Sequence, residues 1–122
     1  MRRPSLKSLL HTARTDAIAS RRRVRQLEES IADFERTIAN LDTEIRAEQD
    51  RAGIHDHSHF AYPSYAKAAM CRRDNLARSV DTMRVTLTEA TTAMDAAGES
   101  LSAILTLQDM RERVAGADLV AS

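Results

Sequence analysis

The sequence predicts an all-α protein in which two long helices form an antiparallel coiled-coil hairpin. Composition is the first observation: of 122 residues, 30% are charged and 3% aromatic, and Gly (3) and Pro (2) are scarce. A chain with so few turn-forming residues and so many charges is typical of long helices or coiled coils. The second observation is a row of apolar residues spaced alternately by three and four. The third is a reversal of charge between the two predicted helices.

The first predicted helix contains a continuous heptad pattern. Polar residues occupy only two of its fourteen a and d positions, Ser20 and Glu48. Such a row places its side chains along one narrow stripe of a helix. Gly53 then supplies the left-handed residue that ends many helices, and Ile54 supplies the apolar residue that often follows it. The predicted seam positions are Leu6, Leu10, Ala13, Ala17, Ser20, Val24, Leu27, Ile31, Phe34, Ile38, Leu41, Ile45, Glu48 and Ala52.

The second predicted helix begins at Pro63, a residue favoured in the first helical turn. Gly98 and the β-branched stretch 85–92 lower helix propensity. Either tertiary packing overrides this low helix propensity, or these residues mark a region that bends when a partner binds. Gly116 is expected to end this helix. The predicted seam positions are Leu76, Val80, Met83, Leu87, Ala90, Met94, Ala97, Leu101 and Ile104.

Charge predicts how the helices pair. Residues 1–25 carry a net charge of +7 and residues 26–50 a net charge of −6. The second helix has the reverse order, basic residues first and acidic residues later. An antiparallel hairpin sets opposite charges together, whereas a parallel homodimer stacks each block on its own copy, and such pairs select orientation. The expected charge pairs join Arg21, Arg22, Arg23 and Arg25 to Asp95 and Glu99.

The predicted organisation is one domain. Residues 1–116 form the hairpin, with a helix over about 5–52, a tip over 53–62 and a helix over about 63–115. Residues 117–122 are expected to be a flexible tail. Because the connection is short, the two helices are expected to be antiparallel neighbours.

Several functional classes are disfavoured. The formal net charge is zero, so there is no overall attraction to nucleic acid or anionic membrane. No run of 18 apolar residues predicts a membrane span, and no apolar segment follows the basic N-terminus as in a secretory signal. A single cysteine, Cys71, suits a reducing compartment. The expected location is the cytoplasm.

The candidate chemical motifs are weak. His55, His57 and His59 alternate with polar residues, and imidazole binds zinc or copper, but no further ligand lies near enough in sequence to complete a site. The arginines at 21–25 are expected to pair within the chain rather than bind phosphate. Cys71 has no partner that would make it a nucleophile. A two-helix hairpin encloses no cavity for a substrate, so we expect no enzyme activity, no cofactor and no metal site.

The predicted tip holds three of the four aromatic residues. Phe60, Tyr62 and Tyr65 surround Pro63. These aromatics are expected to cap the seam and fix the turn. Because Tyr and Phe are frequent binding anchors, these three aromatics and Pro63 also form a candidate docking site of four residues for a partner.

These residues resemble the flagellar export protein FliJ family in its alphaproteobacterial form. The resemblance runs from about Arg22 to Arg113. It rests on the tripartite pattern Ile31-Ala32-Asp33-Phe34, His59-Phe60-Ala61-Tyr62-Pro63 and Arg72-Arg73-Asp74-Asn75-Leu76. Heptads alone resemble one another in many proteins, so the tip sequence gives the likeness its specificity.

The resemblance implies a coiled-coil, stalk-like component of the cytoplasmic flagellar type III protein export apparatus, peripherally associated with the inner membrane. Its implied partners are the flagellar export ATPase ring, the export gate membrane protein and export chaperones, with no nucleic acid and no small-molecule substrate. The open end of the hairpin is expected to enter the ATPase ring. An alternative is a generic coiled-coil adaptor or a chaperone of a virulence type III secretion system. The candidate open-end contacts are Leu9, Arg14, Leu105, Leu107 and Arg111.

Overall fold

The computed structural model describes the backbone of residues 3–121 and the side chains of residues 3–119. Within these residues the chain forms two α-helices, α1 (Leu6–Ala52) and α2 (Ser64–Ala121), and no strand. The two helices pack against each other. The predicted all-α fold of two long helices is confirmed.

Both ends of α1 are capped by the residues at its boundaries. The Ser5 hydroxyl accepts a hydrogen bond from the Ser8 amide at 3.1 Å, which satisfies one of the free amides of the first turn. At the other end Gly53 has φ of +72°. The amides of Gly53 and Ile54 both donate to the Gln49 carbonyl, at 2.8 and 3.2 Å, as in a Schellman cap. The predicted end of α1 at Ala52 is confirmed.

The second helix is longer than predicted. It begins one residue after Pro63 and continues through Gly116 to Ala121. The predicted helix end near residue 115 and the flexible tail at 117–122 are therefore wrong for residues 117–121, and Ser122 lies outside the described residues. A glycine inside a helix costs only about 1 kcal/mol relative to alanine, and the alanines around Gly116 favour continuation.

Contacts divide the chain into two compact units. We call Gln26–Leu87 the tip unit, and the residues up to Arg25 together with those from Thr88 onward the open-end unit. Each contains one segment of each helix.

In the tip unit the helices are antiparallel. Arg73 pairs with Asp42 at 3.1 Å, and farther along α2 Arg84 pairs with Glu35, which is earlier on α1. The two helices share a small core of Leu41, Ile45 and Ala69, with Met70 and Leu76 packed against it.

The open-end unit uses the same seam with smaller residues. Its buried residues on α1 include two alanines, and on α2 the buried seam residue is Ala90. Small side chains let helix backbones approach closely but bury little apolar area. Among the predicted seam positions on both helices, only Ala52 is fully exposed. The buried α1 residues of this unit are Leu10, Ala13, Ala17 and Val24.

Neither helix, over its described residues, combines the length and apolar character needed to cross a membrane.

Candidate functional site

The connection between the helices is ordered by hydrogen bonds of its own. The Asp56 carboxylate accepts from the amide of Ser58 at 3.0 Å and from its hydroxyl at 2.7 Å. The His59 amide donates to the Asp56 carbonyl, and the Tyr62 amide donates to the His59 carbonyl. Such short-range bonds satisfy backbone groups that no helix can pair. The tip therefore has a defined conformation.

Tyr62 is the residue that fixes the tip to the helices. It is buried, and its hydroxyl donates to the sulfur of Met70 at 3.3 Å. The same oxygen accepts a hydrogen bond from the side-chain amide of Gln49 at 2.9 Å. The rings of His57 and Tyr62 also form a T-shaped contact, with centroids 5.6 Å apart. Tyr62 thus takes the structural role predicted for the aromatic tip.

The other two tip aromatics are exposed. Phe60 is 96% exposed and stacks on His59, with ring centroids 4.8 Å apart. Tyr65 is exposed at the start of α2, and its hydroxyl donates to the Glu44 carboxylate at 2.9 Å. Pro63 is half-buried. The predicted cluster of four is therefore split between a buried tyrosine and exposed rings.

The three histidines do not converge. His55 pairs with Asp50 at 3.0 Å, His57 packs on Tyr62, and the Nδ1 of His59 accepts from the Ala61 amide at 3.0 Å. Among the described residues, no three His, Cys, Asp or Glu side chains are grouped as metal ligands.

Hydrogen bonds shift the acidity of three groups in the tip unit. The hydroxyl and amide of Ser58 lower the pKa of the Asp56 carboxyl. The bond to Glu44 raises the pKa of the Tyr65 phenol. The bonds to Asp42 and then to Asp74 raise the pKa of Arg73. Each pKa shift arises because the hydrogen bond stabilises one protonation state: the carboxylate of Asp56, the neutral phenol of Tyr65 and the guanidinium of Arg73. All three groups keep their ordinary charge at neutral pH.

The open-end unit contains a groove of about 720 Å³ between the start of α1 and the end of α2. Apolar side chains, including Leu6 and Leu10, line part of it, and basic side chains flank them. Two of the predicted open-end residues, Arg14 and Arg111, lie on opposite helices and both line the groove. Its lining residues are Leu6, Lys7, Leu10, His11, Arg14, Gln108, Arg111, Glu112 and Ala115.

The remaining predicted open-end residues lie elsewhere on the same unit. Leu9, Leu105 and Leu107 are 42%, 38% and 56% exposed, and they are outside the groove lining. They form apolar surface that no described part of the chain covers.

The predicted charge pairs are not in ion-pair contact. Arg21, Arg22, Arg23 and Arg25 are all exposed, as are Asp95 and Glu99. Among the described residues, no ion pair within 4.0 Å joins the two sets. Long, solvated side chains gain little from fixed pairing, so their opposite charges can favour the antiparallel orientation without forming salt bridges.

Two contributors to the tip were missed by sequence reasoning. Gln49 and Met70 bind the Tyr62 hydroxyl from different helices, yet both occur in helical sequence without any distinguishing motif. The exposed free thiol of Cys71 plays no part in either surface.

Comparisons with known proteins returned no match: no family model, no curated protein and no solved structure is similar to this chain.

Proposed function

We propose that this protein is a non-enzymatic, stalk-like component of the cytoplasmic flagellar type III export apparatus. In this role it binds the export ATPase ring, the export gate and export chaperones, and it associates peripherally with the inner membrane. The family resemblance supplies the identity of these partners. The observation on which the proposal mainly rests is the groove at the open end, where residues from both helix ends combine apolar and basic side chains.

The groove suits a protein partner better than a small substrate. Lys7, Arg14 and Arg111 give it three permanent positive charges against the negative charge of Glu112, and Leu6 and Leu10 add apolar surface. We expect a partner segment that inserts an apolar side chain flanked by carboxylates, since an apolar centre with a charged rim is the usual arrangement of an interface.

The tip offers a second, chemically different contact. Phe60 presents an almost fully exposed ring on a loop held by Tyr62 and by its own hydrogen bonds. A rigid aromatic anchor loses little conformational entropy on binding. The two surfaces together suit a protein that contacts more than one partner.

The test is genetic and biochemical. Deletion of the gene is expected to reduce flagellar assembly and swimming, and the wild-type chain is expected to restore both. The variant R14E/R111E should fail to restore swimming and should not capture the purified export ATPase, because it reverses the charge of the groove. The matched control R46E/R78E changes the same charges at exposed arginines, one on each helix, outside the groove and should behave as wild type.

Normal swimming of the deletion strain would overturn the proposal. A deletion that leaves swimming intact but abolishes secretion of virulence proteins would instead support the adaptor or chaperone of a virulence type III system. Capture of the ATPase by R14E/R111E at wild-type strength would exclude the groove as its docking site.

A further inference from the structure

The C-terminal part of α2 carries a second heptad row, one position before the seam that faces α1. One residue corresponds to a rotation of about 100°, so this row lies on a neighbouring face of the helix. Every member is exposed. We call this row the second seam; its residues are Ala93, Ala96, Ser100, Ala103, Leu107, Met110, Val114 and Ala117.

The large members of the second seam are unusually exposed. Leu107, Met110 and Val114 leave 56%, 56% and 61% of their surface accessible. They follow one another at spacings of three and four, the pattern of the a and d positions that bind a partner helix. Exposed apolar residues scattered singly are ordinary, but a contiguous row marks an interaction surface.

We propose that the second seam binds the second seam of another copy of this chain, with the two α2 helices antiparallel. The sizes of the side chains along the second seam are the first argument that the partner is another copy of this chain. The N-terminal half of the row holds only small residues, Ala and Ser, whereas the C-terminal half holds the three large ones. A self-complementary interface with two-fold symmetry brings unlike halves of the same patch together.

Antiparallel pairing sets each of the three large residues opposite a small one. With the two-fold axis near residue 105, Leu107 lies opposite Ala103 of the second copy, Met110 opposite Ser100 and Val114 opposite Ala96. A parallel, in-register pair would set each large residue against its own copy and leave the alanine half underpacked. Close-packed interfaces favour the first arrangement.

The flanking charges favour the same orientation. In an antiparallel coiled coil the g positions of the two helices lie side by side. Glu99 and Arg113 are both g positions of the second seam, and the same axis brings Glu99 of each copy beside Arg113 of the other. In a parallel in-register pair these residues would be about 21 Å apart along the helices.

Arg113 is available for this contact at little cost. It pairs with Asp109 on its own helix at 3.1 Å, but the side chains are 78% and 57% exposed. An exposed ion pair of this kind contributes little to stability, so Arg113 can exchange Asp109 for Glu99 of the second copy. Self-association through α2 goes beyond the proposed export role, although Leu107 belongs both to the second seam and to the predicted open-end contacts.

Sedimentation equilibrium of the full chain over a range of concentrations tests the second seam. The wild type is expected to form dimers. V114E should shift the equilibrium toward monomer by roughly 30-fold or more, because it places a charge from each copy within an apolar layer of the interface. V85E is the matched control, since Val85 is 62% exposed on the same helix but lies off the second seam.

Circular dichroism verifies that both valine variants remain helical. A wild-type chain that stays monomeric at all concentrations would overturn the proposal. So would a dimer that V85E weakens and V114E does not.

Charge reversal tests the orientation. E99R and R113E should each weaken the dimer by roughly 3- to 10-fold, and the double variant E99R/R113E should restore most of the loss. Additive weakening in the double variant would exclude antiparallel pairing. These charge variants also test the interface in the event that V114E fails to fold.

Discussion

The phenol oxygen of Tyr62 lies 2.9 Å from the side-chain nitrogen of Gln49 and 3.3 Å from the sulfur of Met70. One hydroxyl thus joins the connecting loop to the last turns of α1 and the first turns of α2. Tyr62 therefore fixes the tip to both helices, whereas the Phe60 ring remains exposed.

Removal of that hydroxyl is expected to destabilise the protein. Y62F deletes one donor and one acceptor at a partly buried site, so the free energy of unfolding should fall by about 0.5–1.5 kcal/mol. Y65F is the matched control: it also removes a hydroxyl bonded across the helices, but at an exposed position, so its effect should be smaller. Urea unfolding followed by circular dichroism measures both. An equal loss in the two variants would contradict the role assigned to Tyr62.

The two glycines at positions 53 and 98 should respond oppositely to the same substitution. Gly53 has a left-handed backbone, so G53A should cost about 1 kcal/mol in backbone strain. Gly98 lies inside α2, where alanine is the better helix former, so G98A should stabilise by about 0.5–1 kcal/mol. At neither site would a new Cβ meet a heavy atom within 4 Å, which isolates the backbone effect. Thermal unfolding gives the sign of each change, and destabilisation by G98A would show that this region of α2 needs the flexibility of glycine.

The tip loop should lose stability in acid through Asp56. Its folded-state pKa lies below the ordinary value of 3.8 because the Ser58 hydroxyl and amide bond to the carboxylate. The Asp56 carboxylate therefore stabilises the folded state above the unfolded-state pKa, and this stabilisation is lost as the pH falls through the folded-state pKa. The stability difference between wild type and D56N should shrink below about pH 4. Melting temperatures across this range measure it, and S58A should reduce the difference at neutral pH.

Phe60 should matter for binding and not for folding. F60S removes a ring that is 96% exposed, so stability should change by less than about 0.5 kcal/mol. Pull-downs against the export ATPase, the gate and the chaperones should show weaker binding of the partner that docks at the tip, with ATPase capture through the groove unchanged. A variant that binds all three as strongly as wild type would leave the ring without a docking role.

The seam was predictable because burial and heptad position are linked by helix geometry. Ile31, Leu41 and Ile45 are buried as the spacing predicts, and Gly53 ends α1 for the reason the sequence suggests. The end of α2 was not predictable from Gly116, since a single glycine weakens a helix without ending it.

The surfaces were harder to predict than the fold. Phe60 and Tyr62 are both aromatic residues of the connecting loop, and no sequence pattern indicates which ring is buried. Tyr62 is the buried one because Gln49 and Met70 bind its hydroxyl. Arg14 and Arg111 both line the groove of the open-end unit, which the sequence does not reveal. The second seam has its own heptad phase, one residue before the seam that faces α1, so the phase of the buried seam does not predict it.

The short connection between the helices also bears on the order of folding. Contacts beside it join residues close in sequence, such as Gln49 and Tyr62, 13 positions apart, whereas the groove joins the two ends of the chain. Closing a short loop costs less entropy than closing a long one, and local contacts form faster than distant ones. We therefore expect the tip unit to nucleate folding and the remaining helix pairing to form outward from it, so that the groove at the open end is the last part to form.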